Sequence, residues 1–161
     1  MGSGPGRGRA RWPWLVSLLT LGADQLTKHL LVGAFVPGES IPLLHPVIYL
    51  TYVQNTGAAF GLFKGQQVLF VGLTLLIITW IGWELLTQPT MAPITSWSSA
   101  LILGGAIGNL MDRVRLGYVI DFLDLRVWPV FNVGDSAITI GVTLLILHTC
   151  FGSRRQAMEN K

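Results

Sequence analysis

The sequence predicts an α-helical membrane protein of four transmembrane helices, with a small β-rich cap on the outer face. Three observations lead there. Only 12% of the 161 residues are charged and 51% are hydrophobic, too few charges to coat a soluble globule, where about a quarter would be usual. Apolar runs recur at residues 14–36, 68–86, 92–111 and 136–151, and a helix needs about 20 apolar residues to cross a bilayer. Arg7, Arg9 and Arg11 precede the first run, and Arg154, Arg155 and Lys161 follow the last, which places both tails on the cytoplasmic side. The net charge of +3 belongs to these flanks, so nucleic-acid binding is not implied. The length suits a single membrane-embedded domain, 1–161.

Residues 1–11 are rich in Gly and Arg and are expected to be disordered. The first run is interrupted by Asp24, Gln25, Lys28 and His29. A basic start before an apolar stretch also fits a cleaved signal peptide. No A-x-A-like site follows, and Asp24 stands where such a segment should be apolar, so a retained span is favoured. The outer segment 37–66 opens with Pro37, Gly38, Pro42 and Pro46. Its stretch 47–53 is β-branched and aromatic and reads as strand. The second run is the cleanest span, with Glu84 its sole charge; the inner loop 87–96 has no Lys or Arg. The third run carries Gly104 and Gly108, with Gly105 between them. This small-residue spacing is read as close packing between helices of one chain rather than a dimer seam. The run stops at Asp112 and Arg113. The outer segment 113–133 reads as extended or irregular, with Pro129 barring a continuous helix.

Asp24, Asp112, Asp121 and Asp135 stand in or beside these runs, where an ionised carboxylate is expensive and usually faces a polar cavity. Gly105, Asn109 and Arg113 are four apart and share a helix face. Asp112 and Arg115 read as ordinary charges at a span end. Asp121 and Asp124 are three apart, so on an extended chain they point to opposite faces. Asp135 reads as an N-cap of the fourth helix, but a cap leaves Asn132, beside another aspartate-bearing loop, unexplained. Two carboxylates sharing a site do not both ionise easily. One can take a proton from water while the other donates to a peptide carbonyl. Spacing alone does not show that Asp121 and Asp135 meet.

Other chemistry is weaker. Ser136 has no base within reach, since His148 is about three turns along the same helix. Cys150 reads as a buried, inert thiol. His29, His45 and His148 are scattered, so no metal site and no cofactor is expected. Val133, Gly134 and Asp135 resemble the GxGD element of presenilin-like proteases, except that Asn132 replaces the first Gly. A small proton-coupled transporter subunit is the rival of another class. A relay should spread its acids through the membrane depth, whereas Asp112, Asp121, Asp124 and Asp135 gather at one edge. For a non-catalytic scaffold, the third alternative, paired Asn and Asp would be needless expense.

Five strings together carry a resemblance: Asp24-Gln25-Leu26-Thr27-Lys28; Asn55-Thr56-Gly57-Ala58-Ala59-Phe60-Gly61; Gly108-Asn109-Leu110-Met111-Asp112-Arg113; Gly117-Tyr118-Val119-Ile120-Asp121-Phe122; and Phe131-Asn132-Val133-Gly134-Asp135. In this order they resemble the lipoprotein signal peptidases, or signal peptidase II. The resemblance implies a four-helix aspartic endopeptidase of the bacterial cytoplasmic (inner) membrane, with its active site toward the outer face. It implies removal of signal peptides from prolipoproteins by cleavage just before a diacylglyceryl-cysteine, without a cofactor. It assigns the catalytic dyad to Asp121 and Asp135, and supporting or substrate-binding positions to Asp24, Lys28, Asn55, Gly57, Asn109, Arg113 and Asn132. It implies as partners the lipid-modified signal peptides, membrane lipids and the inhibitor globomycin. One departure is Gly134, where the family usually has Ala, which is expected to loosen the helix start.

Overall fold

A computed structural model describes residues 11–57, 65–88 and 91–159, with side chains described as far as Phe151. The expected disorder of residues 1–11 falls outside these residues, except for Arg11, as do Ala58 to Gly61 of the second string. The elements run α1 (Trp12–Ala34), β1 (Ser40–Leu44), β2 (Ile48–Asn55), α2 (Gln67–Thr87), α3 (Pro93–Leu116), β3 (Val119–Asp124) and α4 (Val133–Glu159).

Among the described residues, α2, α3 and α4 are long and apolar enough to cross a membrane. The expectation of four such helices is met in that respect by three. α1 is as long as these, but Asp24, Gln25, Lys28 and His29 lower its apolarity. Asp24 and Lys28 are buried and Gln25 is half-buried, whereas His29 is exposed together with Leu15, Leu18, Leu19, Leu26 and Leu30. Polar-in and leucine-out is the reverse of a soluble helix.

α3 is the central helix, packed against α1, α2 and α4, and its glycines make this packing close. A Cβ at Gly104 would lie 2.5 Å from the Ser17 carbonyl oxygen of α1. At Gly105 it would strike the Gly134 carbonyl of α4, and at Gly108 the Asp24 carboxylate. The small-residue spacing therefore joins helices within the chain, as expected from sequence. α2 meets α3 through Ile81, Ile102 and Leu103.

The third helix runs one turn beyond Asp112, to Leu116. The apolar run ends there, but nothing breaks the helix until Gly117, which takes φ +80° and donates its N–H to the Arg113 carbonyl at 3.1 Å, the usual left-handed terminus. Residues 113–116 are thus helical rather than extended. Cys150 is exposed rather than buried, on an outward face of α4 near Ile146 and Leu147, which are also exposed.

The cap is a three-stranded antiparallel sheet in the order β1-β2-β3. One face of β2 and β3 packs Tyr52, Ile120 and Phe122 against Leu31 of α1. The other face carries Asn55 and Asp121, two-residue alternation having separated the polar set from the apolar one.

Candidate active site

Asp121 leaves the centre of β3 and is 1% exposed. Its Oδ1 accepts from Asn132 Nδ2 at 2.7 Å and its Oδ2 from Asn55 Nδ2 at 2.8 Å. Asn55 is held in turn by the Gly57 N–H, which donates to its Oδ1 at 2.9 Å. This local Asx turn at the end of β2 aims the amide at the carboxylate.

Asp135 stands in the first turn of α4. The cap of this helix is Asn132, whose Oδ1 accepts the Asp135 N–H at 2.8 Å, while Asp135 Oδ2 accepts the Asn132 N–H at 3.3 Å. The pair is a capping box, so Asp135 is the reciprocating third residue and not the N-cap. The helix consequently starts at Val133 rather than Ser136. Nor is the start loose at Gly134: its N–H donates to Asp24 Oδ1 at 2.8 Å, and a Cβ there would lie 3.0 Å from the same oxygen. Asp135 Oδ1 accepts from Asn109 Nδ2 at 2.7 Å.

Asn132 is thus hydrogen-bonded to both carboxylates, and Asp121 lies within electrostatic reach of Asp135. Burial, first, and the nearby Asp135 charge, second, push the Asp121 carboxyl up to about 7, against the lowering by its bonds to Asn55 and Asn132 and by the Lys28 charge.

Behind the amides lies an ionic layer. Lys28, 2% exposed, donates to Asp24 Oδ2 at 2.8 Å, Asn109 Oδ1 at 2.9 Å and Asp112 Oδ2 at 2.9 Å. All three ammonium protons are used. The bond to Asn109 fixes which end of that amide faces Asp135. Asn109 Oδ1 also accepts from Asn132 Nδ2 at 3.1 Å, so the orientation of each asparagine constrains the other.

Asp24, Lys28 and Asn132 are too deeply enclosed to touch a substrate, and their contacts hold other groups in place. Arg113 differs. Its guanidinium lies 5.2 Å from the Phe70 ring centroid, and its buried Nε has no hydrogen-bond partner among the described residues. Both Asp121 and Asp135 lie within its electrostatic reach.

Two residues were missed among the candidates. Asp112, read as an ordinary span-end charge, is the second anion of Lys28 and accepts the Ile120 N–H at 3.2 Å. Gln25 donates toward Asp24, the Gly108 carbonyl and Asp112 at 3.1–3.2 Å. The signal lay in Gly108 and Asp112, one turn apart on the α3 face that meets α1. Asp124 points away, as the odd spacing required. It accepts from Thr51 Oγ1 and the Arg126 N–H, each at 2.8 Å.

The family model described as signal peptidase (SPase) II matches residues 16–151. The lipoprotein signal peptidase of Moorella thermoacetica is 46% identical over 145 residues, covering 90% of this chain and 97% of the relative. That of Halothermothrix orenii is 44% identical, covering 84% and 92%. A bacterial membrane enzyme solved at 2.3 Å resolution superposes with a TM-score of 0.83 at 28% identity, over 88% of this chain and 89% of that one. With a match that spans residues 16–151, from early in α1 well into α4, this chain belongs to the signal peptidase II family.

Proposed function

We propose that this chain is an intramembrane aspartic endopeptidase that removes signal peptides from diacylglyceryl-modified prolipoproteins, cutting on the amino side of the lipidated cysteine. The observation that carries the reading is one asparagine hydrogen-bonded to two carboxylates, the buried Asp121 and the half-buried Asp135, in a chain of this family.

Asp121 holds the proton below pH about 7 and Asp135 is the base, although the pair titrates as one unit. A water between them gives a proton to Asp135 as its oxygen attacks the scissile carbonyl carbon. Asp121 gives its proton to the carbonyl oxygen, and a tetrahedral diol forms. Collapse of the diol breaks the C–N bond, the amine takes the proton from Asp135, and a diol hydroxyl returns one to Asp121. Asn55, Asn109 and Asn132 fix the four carboxylate oxygens throughout, so little reorganisation accompanies the charge movement. The Arg113 Nε donor turns to the substrate backbone, and the Gly57 N–H keeps Asn55 aimed at Asp121.

In this reading α1 is the fourth span, its polar side turned to α3 and its leucines to lipid. Both termini lie in the cytoplasm and the sheet on the outer face of the bacterial inner membrane, where a lipid-modified substrate arrives laterally. Globomycin is the expected inhibitor. The gathering of Asp112, Asp121, Asp124 and Asp135 at one end of the helices favours hydrolysis over a proton relay. The test is a gel-shift cleavage assay on a purified prolipoprotein with and without its diacylglyceryl group. Cleavage of the modified form alone is expected. Equal cleavage of both forms, or of neither, contradicts the proposal.

A further inference from the structure

A second polar cavity lies across the sheet from the dyad. Asp121 leaves one face of β3, and Tyr118 and Ile120 leave the other. There, with Tyr52, they join the outer ends of α1 and α3 to enclose about 200 Å³, lined also by His29, Val32, Lys28, Asp112, Arg115 and Leu116. The Lys28–Asp112 pair that supports the dyad backs this cavity, and the rest of its lining has no part in the mechanism.

The hydrogen-bonding character of the lining points to its ligand. Lys28 has all three protons bound to Asp24, Asn109 and Asp112. Asp112 has both oxygens occupied, Oδ1 by Gln25 and Oδ2 by Lys28 and the Ile120 N–H. Neither is open to a ligand. Tyr118 Oη accepts from Gln54 Nε2 at 3.0 Å and is hydrogen-bonded to Tyr52, so its one proton is engaged within the lining. Arg115 and His29 are exposed and make no ion pair or hydrogen bond among the described residues. The groups left open are therefore the two basic side chains, Arg115 and His29, and they suit an acceptor-rich anion.

Position narrows the source. Val32 and Leu116, at the mouth, are 44% and 43% exposed, and Leu26 and Leu30 continue the exposed apolar surface down α1. A ligand seated here has its polar part in the cavity and apolar surface beside it. We propose that this cavity binds the phosphate-bearing headgroup of a membrane phospholipid, with Arg115 and His29 donating to the phosphate and the acyl chains lying along α1. The site is separate from the one that would receive the diacylglyceryl substrate, which carries no phosphate.

The test is native mass spectrometry of the full chain in non-ionic detergent, titrated with phosphatidylglycerol, with dioleoylglycerol as a phosphate-free lipid and with inorganic phosphate. Wild type and Arg11→Gln, which removes a cation at the far end of α1, are expected to hold one phosphatidylglycerol equally. Arg115→Gln with His29→Gln is expected to hold it at least about tenfold more weakly, basic residues near a membrane surface each contributing to anionic-lipid binding. Dioleoylglycerol and inorganic phosphate at the same concentration should not displace it. Equal retention by the double variant overturns the proposal, as does displacement by dioleoylglycerol, which would mean adhesion to an apolar face. Displacement by phosphate alone overturns the lipid assignment in favour of a free anion. Both residues are exposed, so the fold should survive. Were the double variant to aggregate, Arg115→Gln alone, in competition against unlabelled wild type for isotope-labelled phosphatidylglycerol, gives the same reading.

Discussion

At the residue scale, Asn132 has more structural duties than its size suggests. It caps α4, donates to Asp121, and accepts the Asp135 N–H. Asn132→Ala is expected to lose helix-cap stability of about 1 kcal/mol and to lower kcat/KM by on the order of a hundredfold, since small misplacements of reacting groups are that costly. Thermal unfolding and steady-state kinetics together separate the two effects. A second expectation concerns pH. The Asp121 carboxyl, raised to about 7, keeps its proton below that value and loses it above, so cleavage should decline as pH rises through about 7. A rate that stays flat from weakly acidic to clearly alkaline pH would exclude Asp121 as the proton donor. The stability sign follows the same shift. The folded state holds this proton more tightly than the unfolded chain, so the contribution of Asp121 is most favourable below the ordinary carboxylate range and is lost as pH rises toward about 7. Lys28→Met is a third case. It would leave Asp24 and Asp112 buried without a cation, and breaking such a pair costs about 3–5 kcal/mol, read as a large fall in melting temperature. The residue types at the site were visible in the sequence because Asn and Asp stand out in apolar runs. The Lys28–Asp112 bond was not, because it joins side chains from α1 and α3 and depends on tertiary packing.

At the element scale, the glycines of α3 set how near the dyad components come. Gly105→Leu would drive a side chain into the Gly134 carbonyl, beside the start of α4 that carries Asp135. It is expected to destabilise by at least the 1–3 kcal/mol of ordinary overpacking and to abolish cleavage. Gly82→Leu, where a Cβ meets open space, should leave activity intact and, by helix propensity, stabilise by up to about 1 kcal/mol. Equal effects of the two substitutions would refute the packing argument. The strands show why element boundaries were only partly legible. The β-branched and aromatic stretch 47–53 marked β2 well, since that composition suits a pleated, half-buried surface. The end of α3 was misplaced because hydropathy reports where lipid contact stops, whereas a helix stops where its backbone can turn, at Gly117. The start of α4 was misplaced because both Asn132 and Asp135 are good caps, and the reciprocal bond between them settles the order.

At the scale of the whole molecule, the arrangement is a helical assembly built around α3 with a sheet closing one end. The side chains of the proposed site come from five elements: Asp24 and Lys28 from α1, Asn55 from β2, Asn109 and Arg113 from α3, Asp121 from β3 and Asp135 from α4. α1 is too polar to qualify as a span by composition, yet its leucines face outward. If it crosses the membrane with the other three, a single cysteine introduced at Gly38 in the Cys150→Ser background should react with an impermeant thiol reagent from the outer side, and one introduced at Gln88 should not. The reverse pattern would invert the proposed topology. The central claim is that Asp121 and Asp135 act as one catalytic pair, and the most direct test compares wild type, Asp121→Asn and Asp135→Asn on a purified diacylglyceryl-modified prolipoprotein. Each variant is expected to reach the membrane in normal amount and to release no signal peptide. Cleavage by either variant at the wild-type rate would contradict the account.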